Sequence, residues 1–201
     1  MATSDVSIAN SALSKIGGGS IIALTDDTPA GIAVNARYAN VRDAELRRHV
    51  WRFAVKRASL AALTTTPAFG YALEYQLPAD CLRLLVAGKF APGLNLSEFR
   101  WGVDDLDYTI EGRKILTDIG APLYIRYVYR VTDPTQFDPA FAEAFASRLG
   151  YELCTTLTDS TTRKDMAKAD YKDAIREAIK ANALEQPPQA LADDSWLASR
   201  V

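Results

Sequence analysis

Histidine is nearly absent from this chain of 201 residues: His49 stands alone. That removes most histidine-dependent chemistry. A Ser–His–Asp triad would have to use His49, and no GxSxG is present. Cysteine is scarce too. Cys81 and Cys154 are the only two, far apart, with no CxxC and no second histidine to complete a zinc site. Two buried reduced thiols are expected, with a disulfide as the other possibility. No apolar run approaches the ~18 residues of a membrane span, so no membrane anchor is expected. The N-terminal "MATSDVSIAN" has neither the basic nor the apolar region of a secretory signal. These absences predict a soluble protein made in a cytoplasm. Charge of one sign is also lacking. Net charge is −2 and the pI about 5.5, whereas a dedicated DNA binder usually shows a basic excess.

What is present is one domain's worth of core, or two small ones: 48% of residues are hydrophobic, enough for a chain of this length to fold without staples. Apolar periodicity predicts a helix over Ser4 to Ile16, capped by Ser4 and stopped by Gly17 to Gly19. A second helix starts at Thr28–Pro29 and runs to about Arg48, burying Val34, Tyr38, Val41 and Leu46. From Val50 the period becomes two, with Trp51, Phe53 and Val55 facing away from Arg52, Ala54 and Lys56. A strand is therefore expected there. Strand-like segments follow in "FGYALEYQLP", "DCLRLLVAG", "DYTIEG", "KILTD" and "PLYIRYVYRV", with a hairpin turn around Gly112. In the last of these, Leu123, Ile125, Tyr127 and Tyr129 share one face and Tyr124, Arg126, Val128 and Arg130 the other. Two more helices are expected. One is capped by Asp138 and buries Phe141, Phe145, Leu149 and Leu153. The other starts near Ser160, buries Ala167, Tyr171, Ala174, Ile175 and Ala178, and carries Asp165–Lys168 and Glu177–Lys180 ion pairs. Pro187 and Pro188 then end helix formation. The fold class is α+β: a bundle from the N- and C-terminal helices (1–49 and 132–185), a central antiparallel β-rich subdomain (50–131), and an extended tail (186–201).

"RDAELRRHVWRFAVKR" crowds Arg42, Arg47, Arg48, Arg52, Lys56 and Arg57 around His49. It straddles a helix end and a strand start, so it reads as two solvated faces joined end to end rather than one nucleic-acid stripe. "KIGGGS" fails as a phosphate loop, because its lysine precedes the glycines. Asp104, Asp105 and Asp107 could hold a cation or act as hydrolase carboxylates, but solvated loop acids fit the pattern better. No catalytic residue, metal ligand or cofactor site emerges, so the chain is not expected to be an enzyme. Two segments suit partners. The loop Leu94 to Asp107 carries Phe99 and Trp101, aromatic anchors in a long loop. The tail carries Trp196, Leu197 and Arg200, and either folds back on its own domain or docks on a neighbouring chain.

Taken in order, "IANSALSKIGG", "ARYANVRDAELRRHVW", "WRFAVKRASLA", "YQLPADCLRLL" and "YVYRVTDPTQFDPAFAEAFASRLGYELC" resemble the head-to-tail adaptors of short-tailed bacteriophages, also called tail tubular protein A. The most specific parts are Arg47 to Ala61, Leu77 to Leu84 and Thr132 to Ala144. One departure is Val50, where many relatives are expected to carry proline. The resemblance implies a structural virion protein made in the host cytoplasm. It would form a homo-oligomeric ring of twelve subunits between the portal and the tail nozzle, with DNA passing through the bore during ejection. A bore that lets DNA slide should not grip phosphates. On this reading Trp196, Leu197 and Arg200 meet the portal or a neighbouring subunit. Phe99 and Trp101 meet the nozzle or a tail fibre, and Arg47, Arg48 and Arg52 make inter-subunit ion pairs. Two other functions remain from the residues alone: a DNA-binding or packaging factor using the basic segment 42–57, and a virion-associated cell-wall hydrolase using Asp104, Asp105 or Glu111.

Overall fold

A computed structural model describes residues 3–89 and 107–185. Among them the chain is α+β, with four helices and six strands. The helices are α1 (Asp5–Lys15), α2 (Pro29–Arg48), α3 (Pro139–Thr158) and α4 (Thr161–Leu184). The N-terminal signals act as their chemistry predicts. Ser4 and Ser7 form a reciprocal capping box on α1, Thr28 accepts from the Gly31 amide, and Asp138 accepts from Ala140 and Phe141. Each supplies an acceptor for amides that have no partner inside the helix, worth about 1 kcal/mol. At the far end of α1, Gly17 takes φ +71° and the Gly18 amide returns to the Leu13 carbonyl, a left-handed stop that glycine makes without a Cβ clash.

α3 is the hub, packing against α1, α2 and α4. Its predicted residues Phe141, Phe145, Leu149 and Leu153 are all buried. Where α1 crosses it, Gly150 lets the backbones meet: a Cβ there would lie 2.9 Å from the Ala12 carbonyl oxygen. Tyr38 of α2 stands edge-on to Phe145 and donates to Asp5 Oδ1 at 2.7 Å. Burial first, and then that carboxylate, hold the Tyr38 phenol well above its ordinary pKa. Along α4 the surface ion pair is Arg176–Asp173, and on α3 Arg148–Glu152. They stand in place of the expected Asp165–Lys168 and Glu177–Lys180 pairs. Either set offers only tenths of a kcal/mol, so spacing alone does not choose between them.

The strands are β1 (Val55–Leu60), β2 (Leu73–Gln76), β3 (Cys81–Gly88), β4 (Tyr108–Glu111), β5 (Lys114–Thr117) and β6 (Leu123–Tyr129). They form two antiparallel three-stranded sheets, ordered β1-β6-β3 and β2-β5-β4. Gly112, at φ +58°, turns the β4–β5 hairpin as expected. Leu123, Ile125 and Tyr127 bury one face of β6 in the sheet core with Tyr75 and Ile115. On the opposite face Val128 is fully buried in the helical core.

The expected strand start at Trp51 is corrected. Arg52–Ala54 form a short 3-10 turn, and pairing with β6 begins at Val55. Ala54 was expected to point outward with Arg52, yet it is fully buried beside Trp51. The helical core decides this: it takes in Trp51, Ala54, Val128 and Val131, and a turn lets neighbouring residues face one side where a strand would alternate them. Helical packing therefore reaches past residue 49 into the segment read as β-rich. Cys81 and Cys154 are both buried and unpaired, and burial raises the Cys81 thiol pKa.

Candidate functional site

The junction between the helices and the β1-β6-β3 sheet brings together most of the singled-out basic segment. Trp51 is its anchor. The indole is fully buried, stacks on Phe53 and meets Phe141 edge-on at 5.0 Å. Its Nε1 donates to the Glu45 carbonyl at 2.9 Å. The link between helix and sheet is then held by a residue distant in sequence. Asn182, near the end of α4, accepts from the Arg52 amide at 2.9 Å and donates to the Val50 carbonyl at 3.0 Å. It also lies 3.3 Å from His49 Nε2. His49 ends α2 and sits edge-on to Trp51 at 5.1 Å. Burial, and after it the charge of Arg83, lower its pKa below the ordinary histidine value. Its contacts with Asn182 and Trp51 are those of a residue closing the end of α2 against the core.

The basic side chains divide into two groups. Arg42 and Arg130 share Asp43, at 2.9 and 2.6 Å. Arg47 donates to the Leu82 carbonyl, and Arg48 to the Tyr171 hydroxyl. Lys56 pairs with Asp80 at 3.0 Å and lies 3.8 Å from the centroid of the Tyr129 ring. Arg47, Arg48 and Lys56 are exposed, as the solvated faces expected from sequence require, and bond to partners in the same chain. Tyr171 completes this network by donating to buried Glu45 Oε1 at 2.7 Å. Its phenol is pushed up to about 12, by burial and then by that carboxylate. The second group, Arg52 and Arg57, makes no salt bridge among the described residues.

Asp80, inside the "LPADCLRL" segment, ties β3 to its neighbours. Its carboxylate accepts from Lys56 and from Tyr127 Oη at 3.1 Å, and its carbonyl accepts from the Arg130 amide at 2.8 Å. Burial raises its pKa, but the bonds from Lys56 and Tyr127 outweigh that and leave it lowered.

Phe99 and Trp101 lie outside the described residues, as do Asp104, Asp105, Trp196, Leu197 and Arg200. Asp107 accepts from Tyr71 Oη at 2.8 Å, and Glu111 is exposed on β4. Among the described residues no group of three or more His, Cys, Asp or Glu could hold a metal ion. No described helix is long and apolar enough to cross a membrane.

Sequence reading did not single out Glu45, Asn182 or Gly150. A carboxylate in the last turn of α2 and an amide near the end of α4 carry no periodic signal. Only the buried stripe that passes Tyr171 hinted that α4 ends against the Arg48–Arg52 link. No protein-family model and no curated protein matches the chain.

Proposed function

We propose that the chain is a head-to-tail adaptor: a structural, non-enzymatic virion protein that assembles as a twelve-subunit ring between the portal and the tail nozzle. DNA passes through the bore without specific binding. The carrying observation is the ordered resemblance over nearly the whole sequence, from "IANSALSKIGG" to "LGYELC". The architecture supports it. A helical bundle beside a small pair of sheets offers two separate ends for two partners, and Ile22 and Ile32 stand 91% and 58% exposed on the helical side. Exposed large apolar groups of that kind suit an interface. In this reading Trp196, Leu197 and Arg200 dock on the portal or on an adjacent subunit, Phe99 and Trp101 contact the nozzle or a fibre, and exposed Arg52 faces a neighbouring subunit. Arg47 and Arg48, which already bond within the chain, contribute there through their remaining donors.

The packaging-factor reading is weakened by the partners that Arg42, Arg47, Arg48 and Lys56 find inside the chain. Negative-stain imaging of the purified protein mixed with its portal tests the proposal. An added ring on the tail-facing end of the portal is expected. A chain that leaves the portal bare while binding duplex DNA in a salt-dependent way is a packaging factor instead.

A further inference from the structure

Four guanidinium groups gather at the junction, none within salt-bridge distance of a carboxylate among the described residues. Arg57 on β1 is the direct partner of Arg126 on β6, so their side chains leave the same face of the sheet. Arg83 on β3 is opposite Val128, two residues along β6 and therefore on that face too. Arg52 lies in the turn directly before β1, whose first residue, Val55, pairs with Val128. Like charges directly opposite across strands destabilise a sheet. Here they stand with no relief: none of the four forms a salt bridge among the described residues. The Nε atoms of Arg83 and Arg126 are buried without any hydrogen-bond partner. A fold keeps such an arrangement when something else neutralises it.

The occupant must be anionic. Setting these four aside leaves 19 of the 23 basic residues against 25 acids on the rest of the chain, so the rest of a second copy is complementary to this face. A particular surface fits. At the opposite end of α2 an open groove is lined by Leu24, Asp26, Asp27, Ile32, Asn35 and Ala36. It joins acid to apolar surface, with Ile22 and Ile32 exposed as noted. Asp27, Asn35 and Ala36 are exposed as well. The groove takes in the first two turns of α2, whereas Arg52 follows the C-terminal end of that helix. Different patches at two places on one subunit can join successive copies in one direction. They make a head-to-tail contact, which generates a ring where the rotation closes.

We propose that Arg52, Arg57, Arg83 and Arg126 form one half of the contact between copies of this chain, and that the Asp26–Asp27 groove at the start of α2 forms the other half. This rests on the ring reading above and names its seam. Partly stripped of water already, Arg126 and Arg83 lose less hydration on pairing than freely solvated cations would. The two exposed cations, Arg52 and Arg57, supply attraction that salt weakens.

The test uses the full chain and the portal ring, scoring adaptor copies bound per portal by mass measurement. Arg52→Glu with Arg57→Glu, both exposed positions, is expected to weaken assembly about tenfold or more. Asp27→Arg with Asn35→Arg is expected to do the same. The chain carrying all four substitutions restores the contact with its charges exchanged and assembles again, which a folding defect could not produce. If Arg52→Glu/Arg57→Glu assembles like the unaltered chain, the seam lies elsewhere and this inference fails while the ring stands. Failure of the fourfold variant to recover overturns the pairing of these two surfaces. Should the arginine variant keep assembly but lose duplex-DNA binding shown by the unaltered chain, the face belongs to nucleic acid and the inference is wrong. An unaltered chain that never assembles on the portal removes the ring reading itself, and the seam with it.

Discussion

Asn182 closes three backbone and side-chain contacts across the helix–sheet link with one short amide. Replacing it with alanine leaves the Val50 carbonyl and the Arg52 amide without partners in a part-buried site. A loss of about 1–3 kcal/mol is expected from unfolding in urea, with no change in helix content. A stability equal to the unaltered chain's would show that water substitutes freely. His49, beside it, is the only histidine, so its titration can be followed without assignment. Burial and Arg83 disfavour its charged form in the fold. The folded state therefore holds fewer protons than the unfolded chain between the lowered pKa and the ordinary ~6.5. Its contribution to stability is complete above ~6.5, declines as pH falls below that, and levels off once the folded pKa is passed. The ring proton resonances should titrate with a midpoint below 6.5, and His49→Gln should flatten this part of the stability profile. A midpoint at or above 6.5 contradicts the placement of the ring.

At the scale of elements, caps and apolar stripes were legible because they are local. Ser4, Thr28 and Asp138 each satisfy amides within three residues, and Phe141 to Leu153 repeat at helical spacing. The stretch from Trp51 to Ala54 was misread because alternation cannot distinguish a strand from a turn drawn into a neighbouring core. There Phe137 and Phe141, some ninety residues away, decide which side chains are buried. Gly150 was illegible for the same reason: only the crossing of α1 over α3 gives it a role. Gly150→Ala, a change that normally favours a helix, is expected to destabilise the protein by about 1–3 kcal/mol, because its Cβ meets a backbone carbonyl that cannot swing away. Thermal unfolding checks this against Gly19→Ala, where a Cβ meets nothing within 4 Å. Equal melting temperatures for the two variants would mean that α1 and α3 cross less closely.

For the whole molecule, the α+β class and the packing of the N- and C-terminal helices into one bundle could be read from sequence. The arginine face could not. Its members come from β1, β3, β6 and the turn before β1, and only strand register brings them together. Phe99 and Trp101, proposed to meet a partner, and the tail residues Trp196, Leu197 and Arg200 lie outside the described residues. Removing residues 186–201 should leave the melting temperature of the isolated chain nearly unchanged while abolishing stable attachment to the portal. A markedly lower melting temperature would make the tail part of this chain's own core. The central claim, ring formation at the portal, is tested most directly by the mass of the adaptor–portal complex. With a subunit of 22.0 kDa, the complex should exceed the bare portal by twelve subunit masses. A complex no heavier than the portal, or one heavier by a single adaptor subunit, would contradict it.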